Sequence, residues 1–95
     1  PLKVVFLKSD VPLPYPALAA FAVSKRNFKR AVKRNLLKRR MREAYRLNKN
    51  PLYDELAAKN RHISIMFIFV GKDPLEFSIV EKAMISALKK VAGKV

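Results

Sequence analysis

Between Ser24 and Lys49 the chain reads SKRNFKRAVKRNLLKRRMREAYRLNK, and no other stretch restricts the fold as tightly. From Ala31 to Leu47 it contains neither glycine nor proline, and most positions hold strong helix formers. At about 100° per residue, Leu37, Met41, Ala44 and Tyr45 gather on one side, with Leu36 and Leu47 widening that face. Asn35, Arg39, Arg42 and Arg46 fall in a single row, flanked by Lys38 and Lys49. One predicted helix therefore has a side to bury and a side loaded with cation.

Twelve of these 26 residues are Lys or Arg, more than half of the 21 in the whole chain, and Glu43 is the one acid among them. Arg39 is placed to pair with Glu43 four residues on, but the rest of the row has no acidic partner within the helix. Like charges at this spacing cost roughly 0.2–0.5 kcal/mol per pair. A solvated basic face is the ordinary reading of a charge run. Here the density and the missing countercharge favour a polyanionic partner instead. The net charge of +14 and a pI near 10.6 point the same way, to nucleic acid. A membrane surface is the weaker option, because no apolar stretch approaches the roughly 18 residues of a span and no secretory signal is visible. Without cysteine there are neither disulfides nor thiolate metal sites. Hydrophobic content of 51% argues for a folded domain rather than a basic tail, and 95 residues suffice for one modest core.

The rest of the chain supplies a sheet and two more helices. Leu2 to Leu7 alternates, with Leu2, Val4 and Phe6 on one face and Lys3, Val5 and Leu7 on the other, and is predicted as a strand. Pro12, Pro14 and Pro16 make Ser9 to Ala17 a stiff connecting loop that also holds Asp10. Leu18 to Ser24 is a second strand, with Phe21 and Val23 opposite Ala20 and Ala22. After the basic helix, Asn50 is predicted as N-cap and Pro51 as the first residue of a short helix. Its buried side would be Leu52, Tyr53, Leu56 and Ala57, and it would end near Asn60. His62 to Val70, almost continuously apolar, reads as a strand buried on both faces. Asp73, Pro74 and Glu76 have the spacing of a capped helix start. Phe77, Val80, Met84, Ala87, Leu88 and Val91 form the core stripe of that last helix. Strands separated by a helical crossover predict parallel pairing in a mixed sheet, an α/β (α+β) sandwich in one domain over 1–95.

Catalytic ingredients are scarce. The single histidine, His62, sits at a strand start and reads as structural, and Asp54-Glu55, the one adjacent acidic pair, would point in different directions on a helix. Asp73 and Glu76 are accounted for by capping. Ser24 has no evident base, and there is no glycine-rich phosphate loop. No catalytic residue and no protein metal site is expected.

The run Ala31-Val32-Lys33-Arg34-Asn35-Leu36-Leu37-Lys38-Arg39-Arg40-Met41-Arg42-Glu43 resembles the signature of the bacterial ribonuclease P protein subunit. Arg34-Asn35, Lys38-Arg39 and Arg42-Glu43 stand at that family's spacing, with Val23-Ser24-Lys25-Arg26 upstream. The resemblance extends through the apolar third strand and the final helix. It implies a ribosomal-protein-like fold with a left-handed βαβ crossover, against the usual right-handed rule. It also implies a cytoplasmic ribonucleoprotein in which the RNA subunit, with Mg²⁺, removes the 5′ leader of precursor tRNA. The partners would be ribonuclease P RNA and precursor tRNA, with neither membrane nor DNA.

Carried over by position, Lys25, Arg26, Arg34, Asn35, Lys38, Arg39, Arg42 and Arg46 would bind RNA, with no catalytic residue in the protein. Arg34 falls off the helix row and could instead anchor the helix to a neighbouring segment. The sheet face beside the signature helix would form a cleft for the single-stranded leader, where Phe6 could stack on a base. A helix before the first strand is usual in this family, and because the sequence starts at Pro1 rather than Met, a further N-terminal piece is expected. The competing reading is a general or ribosome-associated RNA-binding module with no part in cleavage, in which Phe67 and Phe69 would be the stacking aromatics. An independent nuclease or a membrane-surface protein fits less well, for want of catalytic residues and of an aromatic-faced amphipathic helix.

Overall fold

The computed structural model describes residues 1–9, 11 and 13–95. Asp10 and Pro12, part of the expected stiff loop, lie outside the described residues. The element order is β1 (Leu2–Ser9), β2 (Ala17–Val23), α1 (Ala31–Asn48), α2 (Asn50–Ala58), β3 (His62–Phe69) and α3 (Phe77–Lys94). The three strands form one mixed sheet in the order β1-β3-β2, with β3 antiparallel to β1 and parallel to β2. The predicted order of elements, the parallel pair and the α+β class all hold.

The side chains explain which face carries the helices. Leu2, Val4 and Phe6 of β1, Ala17, Ala19, Phe21 and Val23 of β2, and Ile63, Ile65, Phe67 and Phe69 of β3 all turn to one side. There they meet Leu37, Met41, Ala44 and Tyr45 of α1, Leu52 and Leu56 of α2, and Val80, Met84, Ala87, Leu88 and Val91 of α3. Aromatic rings knit this layer. Phe21 stacks on Phe67 at 5.6 Å between centroids, and Tyr45 meets both rings at 5.7 and 5.5 Å. The hydroxyls of Tyr45 and Tyr53 share a 3.0 Å hydrogen bond, so the buried phenol keeps a partner.

β3 departs from the prediction. It is central, but it is not buried on both faces: Ser64 and Met66 are exposed on the side away from the helices. That side shows Val5 (47% exposed), Leu7 (74%), Leu18 (50%) and Met66 (43%). The sequence hid this because Met66 and Ile68 are apolar, so the alternation expected of a half-covered strand is weak.

The helix boundaries also shift. Lys49 alone separates α1 from α2 and caps both, so Asn50 is the first residue of α2 and makes no cap with its side chain. Tyr53 is half-buried, whereas Ala57 is exposed and Leu47 is 50% exposed, so these two belong to neither buried face. Asn60, at φ 52°, adopts the left-handed conformation that asparagine tolerates and ends the turn after α2. Asp73 is not a cap either: α3 begins at Phe77 with Glu76 before it. The Arg40 guanidinium donates to the Leu75 carbonyl, and Leu75 packs against the core, which holds the preceding residues out of the helix.

Candidate nucleic-acid interface

α1 presents its cations because its other side is committed. With Leu37, Met41, Ala44 and Tyr45 locked in the core, Asn35, Arg39, Arg42 and Arg46 emerge together as an exposed row, and Lys38 stands half-buried beside them. Neither Arg39 nor Arg42 has a carboxylate within ion-pair distance among the described residues. The Arg39–Glu43 pair expected from the sequence does not form. Arg46, three residues on, takes Glu43 instead, donating from Nη2 and from Nε, the latter at 3.3 Å. That contact holds the Glu43 carboxyl below its ordinary value and raises the Arg46 guanidinium. Both side chains stay exposed, so the pair has little worth in water. Lys49 lies 5.2 Å from the centre of the Tyr53 ring and flanks the row from there.

Arg34 has a different task. Its Nη1 donates to the carbonyls of Phe28 and Lys29, each at 2.8 Å, and so ties the first turn of α1 to the loop before it. The neighbouring-segment anchor read from its off-row position is what the structure shows. Phe28 is itself buried and meets Phe69 edge-on at 5.8 Å. Ser24 Oγ accepts the Arg26 amide at 3.1 Å, and the Ser24 carbonyl accepts that of Phe28 at 3.1 Å. The loop is therefore shaped by its own bonds, and Lys25, Arg26, Lys29 and Arg30 project from it into solvent. α1 starts with no side-chain cap and no acid in its first turn. Its positive dipole end thus adds to these cations.

The chain's folding brings in a residue that spacing alone did not reveal. Asn27 Nδ2 donates to the Gly71 carbonyl at 3.4 Å, and Lys72, from the turn after β3, joins Arg26 and Asn27 around one polar recess. No local pattern signals this, because the partners lie 44 residues apart in sequence. Phe6, by contrast, points to the helix side of the sheet, half-buried against the core. Phe67 and Phe69 are fully buried there, so they offer no stacking platform. His62 Nδ1 lies 3.1 Å from the Tyr15 carbonyl, in keeping with a structural histidine.

The chemistry the surface can perform is binding. Guanidinium forks suit phosphate oxygens, and Asn35 can both donate and accept toward a base or ribose. Among the described residues no three acidic or histidine side chains converge as a metal cage. The acidic donors among the described residues therefore form no cage for Mg²⁺, which the resemblance places mainly with the RNA subunit. Among the described residues no helix is long and apolar enough to cross a membrane.

Comparison with known proteins agrees with the signature. The ribonuclease P family model matches residues 2–92. Ribonuclease P protein components of two Porphyromonas gingivalis strains are each 43% identical over 96 aligned residues, taking in all of this chain and 69% of theirs. That of Chlorobium phaeobacteroides is 43% identical over 79 residues, covering 74% of this chain and 53% of the relative. No solved structure matches the chain. With the signature on an exposed helix row and the family match running almost end to end, the chain belongs to the ribonuclease P protein family.

Proposed function

We propose that this chain is the accessory protein subunit of a cytoplasmic ribonuclease P, binding the catalytic RNA and helping it hold precursor tRNA while the 5′ leader is removed. The observation that carries the reading is the exposed row of Asn35, Arg39 and Arg42, whose two arginines lack acidic partners among the described residues. Lys38, Arg46, Lys25 and Arg26 extend it. Hydrolysis belongs to the RNA and its Mg²⁺; the protein supplies positive charge that offsets phosphate repulsion where the leader meets the RNA. Arg34 serves the same surface indirectly, by fixing the loop that carries Lys25 and Arg26. Phe6, half-buried against the core, would reach a leader base from the helix side of β1.

The test is cleavage of precursor tRNA by ribonuclease P RNA at low, near-physiological Mg²⁺, with and without the chain. Strong stimulation with a correct 5′ end, and no cleavage by the protein alone, is the expected result. Tight RNA binding without any stimulation would instead favour a general RNA-binding module.

A further inference from the structure

A second group of cations lies where β1 ends and β3 begins. Lys8 closes β1 beside Ser9, and the turn after α2 contributes Lys59, Asn60 and Arg61 just ahead of His62. Together they rim a recess of about 550 Å³. Its shape follows from the left-handed Asn60: the amides of Lys59, Asn60 and Arg61 all turn back onto the last turn of α2, bonding to Glu55, Ala57 and Leu56 carbonyls. The backbone donors are thus used up, and only side chains are left to face a ligand. Lys59 is engaged, donating to the Val95 carbonyl and lying 3.5 Å from Glu55. Lys8 and Arg61 are exposed and without a carboxylate partner among the described residues. The contact between Nδ1 and the Tyr15 carbonyl fixes the imidazole of His62 at the rim.

We infer that this recess is a second RNA-binding site, taking a phosphodiester between Lys8 and Arg61 independently of the α1 row. Resting on the RNA-binding reading above, the inference adds a separate point of attachment. The loop cations Lys25 and Arg26 follow the end of β2 at Val23, which pairs with Phe69 at the opposite end of β3. The eight residues of β3 set the recess about 23 Å along the strand from those loop cations. No one phosphate reaches both, so each site neutralises its own. The phosphate could belong to the RNA subunit or to precursor tRNA.

The experiment compares Lys8→Ala with Arg61→Ala (as a double variant) against Arg39→Ala with Arg42→Ala, using the whole chain. Both are measured against ribonuclease P RNA alone, and against precursor tRNA bound to the assembled holoenzyme, over a salt series. All four side chains are exposed, so circular dichroism should show both variants folded. The Lys8/Arg61 variant is expected to weaken one arm roughly three- to tenfold and to lower its log–log salt slope by about one to two. The affected arm identifies which RNA occupies the recess. Unchanged affinity and slope in both arms, with Arg39/Arg42 still showing a loss, would overturn the second site alone. If the Arg39/Arg42 variant also binds normally in both arms, the RNA-binding reading itself fails.

Discussion

Arg34 and Arg42 look alike in the sequence, both within the signature run, yet their surroundings assign them different tasks. Arg34 bonds two loop carbonyls from a half-buried position, whereas Arg42 stands in solvent with no acidic partner among the described residues. Arg34→Ala should therefore destabilise the free protein by about 1–2 kcal/mol, lowering Tm by several degrees, while Arg42→Ala leaves Tm unchanged. Thermal unfolding without RNA reads this directly. A normal Tm for Arg34→Ala combined with weakened RNA binding would make Arg34 a direct RNA contact rather than an anchor. The off-row position of Arg34 was visible from spacing alone, but the carbonyls it holds were not. The choice of Arg46 over Arg39 as the partner of Glu43 was hidden for a related reason: spacings of three and four residues both place side chains side by side on a helix, and rotamers decide between them.

At the level of elements, the joint between α1 and the sheet turns on Tyr45. Burial first, and then the hydrogen bond with Tyr53, raise its hydroxyl far above the ordinary tyrosine value of 10.0. The folded state therefore keeps this proton at pH values where the unfolded chain releases it. The associated stability is fully present below pH 10 and is lost as pH rises beyond it. Tyr45→Phe removes the hydroxyl pair, so it should be somewhat less stable at neutral pH but lose less stability between pH 9 and 11 (approximate window). Urea titrations across that range check the sign. A steeper alkaline loss in the variant would be incompatible with a buried, protonated Tyr45.

The helices were the most legible elements. All four buried residues of α1 follow from periodicity, because their polar neighbours make the contrast sharp. β3 offered no such contrast, since Met66 and Ile68 on its open face are as apolar as Phe67 and Phe69 on its buried one. The start of α3 misled differently. Asp73, Pro74 and Glu76 have the chemistry of a cap, but the long-range Arg40–Leu75 bond displaces the start to Phe77. Local signals cannot register a contact made across 35 residues.

For the molecule as a whole, salt should act with opposite signs on folding and on binding. A net charge of +14 is confined to a body of 40 × 24 × 19 Å. At about 0.01 M salt the screening length is about 30 Å, so most of these charges repel one another; at about 0.15 M it is about 8 Å, and only near neighbours do. The free protein should gain several degrees in Tm over that range, while its affinity for ribonuclease P RNA falls steeply. Saturating RNA should then stabilise the fold by about 2.7 kcal/mol at one hundred times Kd. Differential scanning fluorimetry with and without RNA measures both trends. A free-protein Tm that drops with salt would mean that cation repulsion is not what limits stability.

The place of β3 between β1 and β2 has a consequence for how the protein is made. β1 and β2 leave the ribosome before β3, but neither bonds to the other; each waits for β3, which for β1 arrives about sixty residues later. At roughly 5–20 residues per second, that is a wait of about 3–12 s. During it, two apolar strands and a helix with seven of the 21 Lys and Arg residues are outside without a sheet. Until β3 has been added there is no sheet for β1 and β2 to join, so this order of strands makes assembly of the sheet a late event that takes in both outer strands together.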